Sequence, residues 1–254
     1  MISVSIIGSG RVAKHLHDAF SLNGEIDIVQ VVSRNTTALQ GFDQARSTTS
    51  DFKDIADSDI YIIAVSDNAI NSVSQQLNTK NKLVVHTSGA TPMDILATHP
   101  RHGVFYPLQS FSKDRPMDFN KVPLCLESNT QSDLDLLKQL AQKITGRIYE
   151  VSTEQRKTLH LAAVFVNNFT NHLYHLAHEI CKEKELSFEL LRPLIGETVD
   201  KLSHLTPYQA QTGPARRGDQ STIDTHLAQL KKPVEIEIYK LLSQSIENTY
   251  GKEL

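Results

Sequence analysis

The stretch Ile2-Ser3-Val4-Ser5-Ile6-Ile7-Gly8-Ser9-Gly10-Arg11-Val12-Ala13 begins as a β-branched run and passes through two glycines into a helical pattern at 11–21. This is a GxGxxA turn between a strand and a helix, the arrangement that cradles a dinucleotide pyrophosphate. Gly8 permits the tight turn, Gly10 lets the backbone approach the phosphates, and Ala13 allows helix and strand to pack closely. The helix N-terminus adds unpaired N–H groups and the positive end of its dipole. Ser9, Arg11 and Val12 complete the expected phosphate-binding set. An ordinary Gly-rich turn is the competing view; the first-strand position and the βαβ continuation weigh against it.

Outward from the turn, strand-like runs recur at 27–33, 59–65, 82–86, 103–106 and 121–126, with helical patterns at 68–77 and 131–143. That alternation predicts an α/β Rossmann domain over 1–151. Ile60-Tyr61-Ile62-Ile63-Ala64-Val65 and Leu83-Val84-Val85 are unbroken apolar runs, suited to central parallel strands covered on both faces. Beyond Val151 strand-like runs vanish. Ser152, with Glu154 and Gln155 behind it, signals a helix start, and an all-α domain is expected over 152–254. Its first helix is expected over 153–183 and, being apolar nearly all round, at the centre of that domain; further helices are expected near 187–204, 221–230 and 232–249.

Composition narrows the function classes. The 254 residues are 39% hydrophobic with a formal net charge of −3. No basic surface is concentrated enough to neutralise a nucleic-acid backbone, so nucleic acid is not an expected partner. No apolar run approaches the roughly 20 residues needed to cross a bilayer, and Met1 leads straight into the first strand; a cytoplasmic protein is expected. Cys125 and Cys181 stand alone and read as free thiols.

The end of the second strand distinguishes the nicotinamide cofactors, because an acidic residue there would bind the adenosine ribose and repel a 2′-phosphate. Here it reads Ser33-Arg34-Asn35, three potential donors, which favours NADP over NAD. A solvated arginine is the bland alternative. Ligands of open α/β sheets lie outside the carboxyl ends of the strands, so Ala64, Val65, Ser66, Thr87 and Ser88 are expected at the cofactor. His86 could give a proton there or simply pack the strand edge.

Several segments are distinctive: Gly8 to Ala13, Ser33-Arg34, Ala64-Val65-Ser66-Asp67, His86-Thr87-Ser88-Gly89-Ala90, Tyr106-Pro107-Leu108-Gln109-Ser110-Phe111, and Gly213-Pro214-Ala215-Arg216-Arg217-Gly218-Asp219. Together they resemble the Rossmann-like proteins that carry a helical domain of unknown function, a family of candidate NADP oxidoreductases distantly similar to pyrroline-5-carboxylate reductase. The resemblance implies a C-terminal domain similar to that of the 6-phosphogluconate dehydrogenase superfamily, with homodimerisation through its helices. It implies no reaction, since fold does not supply a substrate.

On the long helix, His160, Asn167 and Asn171 share a face, and polar groups on an apolar helix need partners. Related β-hydroxyacid dehydrogenases place a lysine four residues before an asparagine here; the residue four before Asn168 is Val164. His160 with Asn167 or Asn168 is therefore the expected catalytic group, unless these residues only satisfy one another or bridge a dimer. His172, His175 and His178 drift around the helix, so no metal site is expected. Arg216, Arg217 and Asp219 could clamp a substrate carboxylate, with Asp219 as a helix cap the rival role. The leading function is an NADPH-dependent reductase of a small carbonyl or imine compound. Two alternatives stay open: a non-catalytic NADP-binding sensor or regulatory protein, and an NADP oxidoreductase using a deazaflavin (F420-type) partner.

Overall fold

The computed structural model describes residues 1–79, 81–113 and 115–251. These form two compact units, Met1–Asn168 and Phe169–Leu254.

The first unit is built on one sheet: β1 (Ile2–Ile7), β2 (Ile26–Val32), β3 (Ser47–Thr49), β4 (Ile60–Ile63), β5 (Leu83–His86), β6 (His102–Pro107), β7 (Leu124–Ser128) and β8 (Ile148–Glu150). The strand order is β3-β2-β1-β4-β5-β6-β7-β8. All pairs are parallel except β6 with β7. The six predicted strands are present. β7 runs antiparallel because no α-helix among the described residues separates it from β6, and a parallel return needs such a crossover. β3 and β8 escaped the sequence because they are edge strands of only three residues each, too short to show a period.

The apolar runs do what two-sided burial requires. In β4, Ile60 and Ile62 face one core, shared with α1 (Arg11–Ser21), while Tyr61 and Ile63 face the other. α1 contributes Ala13, Leu16 and Phe20 to the first core. α2 (Thr36–Leu39) is a single turn capped by Asn35, and α3 (Ile70–Ser74) lies on the second core through Ile70 and Val73. α4 (Gln131–Gln142) packs Leu137, Leu140 and Ala141 beside α1's apolar face. Each fully buried Leu or Phe contributes about 1.5–3 kcal/mol relative to exposure. The order reverses at β1 and β4, whose carboxyl ends diverge to leave a crevice for ligand.

α5 (Thr153–Ala163) starts where the sequence signals it, with Ser152 and Gln155 forming a reciprocal capping box. It does not continue as uniform α-helix. Residues Val164–Phe169 widen into a π-helical segment before α6 (Thr170–Glu183). The remaining helices are α7 (Arg192–Asp200), α8 (Pro207–Ala210), α9 (Gln220–Gln229) and α10 (Pro233–Tyr250). The expectation of a central, buried long helix is corrected: Leu161, Phe165, Val166 and Phe169 are all more than half exposed. In the second unit only Ala215, Ile223 and Glu235 are buried among the described residues. None of the described helices is long and apolar enough to cross a membrane.

Candidate functional site

Two cavities of the first unit gather most of the residues singled out by the sequence. The first, about 490 Å3, lies at the β1/β4 crevice and is lined by Gly8, Ser9, Gly10, Arg11, Val12, Ser33, Arg34, Asn35, Ala64, Val65, Ser66 and Thr87, with Phe52 among its apolar walls. Of the residues expected at a dinucleotide, only Ser88 is missing. It is buried, its hydroxyl donating to Thr91 Oγ1 at 2.9 Å, and so braces the β5 loop from inside.

The turn is shaped by close approach. Gly8 sits at φ +127°, and a Cβ there would fall 2.3 Å from the Ala64 carbonyl oxygen, so the chain can pass β4 only as glycine. Gly10 has extended geometry and caps α1 without any side-chain hydrogen bond. A Cβ on Gly10 would meet nothing within 4 Å, which leaves the backbone open to the cavity. The start of α1 thus carries no side-chain cap and borders the cavity, as an anion site requires.

The end of β2 is tied to the glycine turn. Ser9 and Ser33 share a hydrogen bond of 2.7 Å that ties the glycine turn to the end of β2, and Ser33 Oγ accepts the Asn35 N–H at 3.2 Å. Asn35 Oδ1 is spent on capping α2, accepting from the Ala38 N–H at 3.1 Å. Arg34 and Arg11 are exposed, and neither makes a hydrogen bond or ion pair with another described residue. Among the residues lining this cavity none is acidic. Two free guanidiniums, uncapped helix N–H groups and no opposing carboxylate fit a phosphorylated dinucleotide.

The second cavity, about 670 Å3, is lined by Arg11, Val12, Tyr106, Leu108, Gln109, Ser110, Phe111, Leu159, His160, Asn167 and Asn168. Arg11 and Val12 line both cavities, so the two adjoin at the start of α1. His160, Asn167 and Asn168 come together here, the asparagines from the π-helical segment, a distortion common at functional positions.

His86 is not part of either cavity, which corrects its role as a candidate acid. The side chain is fully buried, its Nδ1 accepts the Ser88 N–H at 3.1 Å, and its Nε2 meets the Pro92 carbonyl at 3.3 Å. Burial, reinforced by the nearby Arg156 charge, lowers its pKa to about 4. It is a neutral packing histidine. In the 213–219 loop Asp219 takes the helix-cap role, the rival of the clamp. Arg216 stacks on Tyr250 at 5.4 Å and bonds the Gln211 carbonyl, while Asp219 caps α9 by accepting the Thr222 N–H at 3.1 Å.

Two residues that sequence reasoning passed over matter here. Tyr106, the last tyrosine of β6, places its hydroxyl 3.1 Å from His160 Nδ1. Arg156, fully buried one turn before His160, donates to the carbonyls of Ser88, Gly89 and Thr91 at 2.9, 3.1 and 2.8 Å and to Glu127 at 3.0 Å. The location of Tyr106 at the carboxyl end of a strand was the available signal.

A Rossmann crevice with these donors defines a dinucleotide-binding protein of the NADP-dependent oxidoreductase class. Residues 3–89 match the family model described as NADP oxidoreductase, coenzyme F420-dependent, and residues 122–246 match a domain of unknown function, DUF2520. No curated protein matches the chain. Among solved structures, a candidate NADP oxidoreductase of Bacteroides fragilis is 39% identical, covering 97% of this chain and 98% of its own, with a TM-score of 0.91. An imine reductase of Myxococcus stipitatus solved in complex with NADP+ is 18% identical, covering 98% of this chain and 96% of its own, at a TM-score of 0.64. A pyrroline-5-carboxylate reductase of Coxiella burnetii is 17% identical over 99% and 94% of the two chains, at 0.58. The last two share the fold. The chain belongs to the NADP oxidoreductase family that the Bacteroides protein represents, and NADP is the cofactor of that family.

Proposed function

We propose that the protein is an NADPH-dependent reductase of a small carbonyl or imine compound, with the nucleotide in the first cavity and the substrate in the second. The observation that carries this is the junction of the two cavities at Arg11 and Val12, where a largely apolar chamber bearing His160, Asn167 and Asn168 adjoins the glycine turn. Gly8, Ser9, Gly10, Arg11 and Val12 receive the pyrophosphate, Ser33, Arg34 and Asn35 the 2′-phosphate end, and Ala64, Val65, Ser66 and Thr87 the nicotinamide half. The bound cofactor supplies hydride. His160 handles the proton, and Asn167 and Asn168 orient the substrate's polar atoms. The imine and pyrroline substrates named for the fold relatives make a C=N group a reasonable first guess. A reaction that consumes NADPH suits the cytoplasm.

In this proposal residues 1–151 bind the nucleotide, and the helical part over 152–254 serves the substrate, through residues 159–168, and pairs two chains as a homodimer. The support for pairing is the apolar surface of the helices: Leu190, Leu194, Val234 and Leu241 are each more than 60% exposed. Large apolar side chains left exposed together are the usual material of an interaction face.

The test is calorimetry of the purified protein with NADPH and NADH, then a panel of small cyclic imines, aldehydes and ketones followed at the nicotinamide absorbance. Selective NADPH binding with turnover of a panel member supports the reductase. Binding without turnover of any member favours the sensor. A deazaflavin partner is the second reading, favoured by the family match over 3–89. It predicts NADPH-driven bleaching of an added deazaflavin with no imine or ketone turned over.

A further inference from the structure

We infer that the Tyr106 hydroxyl delivers the proton to the substrate's nitrogen or oxygen in the second cavity, and that His160 stands behind it as the group that restores that proton. The inference rests on the reductase reading and replaces its unspecified proton handling with named atoms.

The geometry is that of a relay. Tyr106 Oη and His160 Nδ1 are 3.1 Å apart, the rings meet edge-on at 68°, and both residues line the same cavity. When Nδ1–H donates to Oη, the phenol hydrogen is free to point at a substrate atom. A lone tyrosine would be a weak acid here. Burial, with Cys125 and Asp67 adding to it and Arg156 opposing, pushes the Tyr106 pKa up to about 12. An acid far above working pH transfers its proton poorly, and a neighbouring imidazolium corrects this by stabilising the phenolate as it forms. The charged and titratable groups around the pair are Cys125 on β7, Arg156 on α5, Asp67 after β4 and Arg11 at the start of α1.

The fold holds the pair rigidly. Arg156 and His160 are four residues apart on one face of α5, and the buried guanidinium pins the loop at Gly89 against that face. A Cβ built on Gly89 would lie 2.5 Å from His160 Nδ1 and 2.8 Å from Tyr106 Oη. The bare backbone is the only neighbour that fits there. Positioning of this precision is what a proton-transfer group needs.

The step balances. The substrate carbon gains hydride from NADPH and forms a C–H bond, while the C=X π pair moves onto X. X takes the proton from Tyr106 Oη, the phenolate takes the Nδ1 proton of His160, and the imidazole regains a proton from solvent through the cavity. The sum is substrate, NADPH and one proton giving reduced product and NADP+.

Full-length wild type, Y106F, H160Q and G89A are compared in three measurements: NADPH calorimetry, the ring-nitrogen NMR resonances of His160 in the free protein at one fixed pH, and NADPH-driven reduction of methylpyrroline, a small cyclic imine. The expected outcome is a loss of about a hundredfold or more in kcat for Y106F and G89A with NADPH affinity within about twofold. H160Q should lose kcat with NADPH affinity likewise held, and in Y106F the Nδ1 resonance of His160 should move because its partner is removed. Near wild-type kcat in Y106F or H160Q, or an Nδ1 resonance unmoved by loss of the phenol, overturns the inference. A wild type that binds no NADPH, or binds it without reducing the imine while the Nδ1 resonance still responds to loss of the phenol, instead counts against the reductase reading.

Discussion

Replacing Arg34 with alanine isolates the choice of cofactor, because the side chain does nothing else in the structure. It is exposed, lines the first cavity, and is bonded to no other described residue. Its loss therefore removes no internal contact, and the melting temperature should stay within the small range of ordinary surface changes, about 0.5 kcal/mol. Toward NADPH the change is larger. A hydrogen bond to a charged group is worth about 1.5–3 kcal/mol, and solvent exposure of the guanidinium argues for the lower end. That is roughly a tenfold rise in Kd, up to a hundredfold if the contact is bidentate. NADH lacks the 2′-phosphate, so its Kd should stay within about twofold. Calorimetry of both nucleotides with both proteins at one ionic strength gives the four constants. Added salt should weaken NADPH binding more in wild type than in the variant. Equal weakening of NADPH and NADH would refute the reasoning, since it would place Arg34 on a part of the nucleotide that both share.

Gly8→Ala forces a Cβ to within 2.3 Å of the Ala64 carbonyl at a φ of +127°; strain of about 1–3 kcal/mol should lower the melting temperature by several degrees and abolish NADPH binding. His86 is held near pKa 4 in the fold against an ordinary 6.5. The unfolded chain therefore takes up a proton first as pH falls, and stability should drop between about pH 6.5 and 4 by at most about 3 kcal/mol. Urea melts at stepped pH should show this loss diminished in His86→Gln. Leu241→Glu with Leu194→Glu, two side chains 68% and 63% exposed, should convert a dimer to monomer by light scattering; an unchanged dimer would move the interface elsewhere.

The glycine turn was legible because its spacing is local: one strand, one turn and one helix read in a dozen residues. The apolar runs of β4 and β5 were legible for the same reason, since two-sided burial leaves no polar position to hide the pattern. β3 was not, because Ser47, Thr48 and Thr49 form a short edge strand with no apolar side chain to mark it. The long helix misled in the opposite direction. Its apolar residues suggested a buried centre, yet they lie on the surface of the chain, and a composition rule cannot tell a core from an exposed apolar face. His86 and His160 show the limit for sites. Both are histidines in helpful places, but one is walled in by Ser88 and Pro92, and the other meets a phenol 54 residues away. Only tertiary structure separates them.

The start of α1 does double duty, and this explains why the two cavities need not be assembled from separate devices. Gly10 leaves the helix uncapped for phosphate, and the next two residues, Arg11 and Val12, turn the same helical start toward the second chamber. The β5 loop is shared in the same way: Thr87 lines the first cavity, while two residues on, the backbone of Gly89 lies against Tyr106 and His160. A shift of either element would move both cavities together. In the proposed reaction that coupling is useful, because hydride and proton must arrive at adjacent atoms of one small C=X group, and a rigid common frame fixes their separation before any substrate binds.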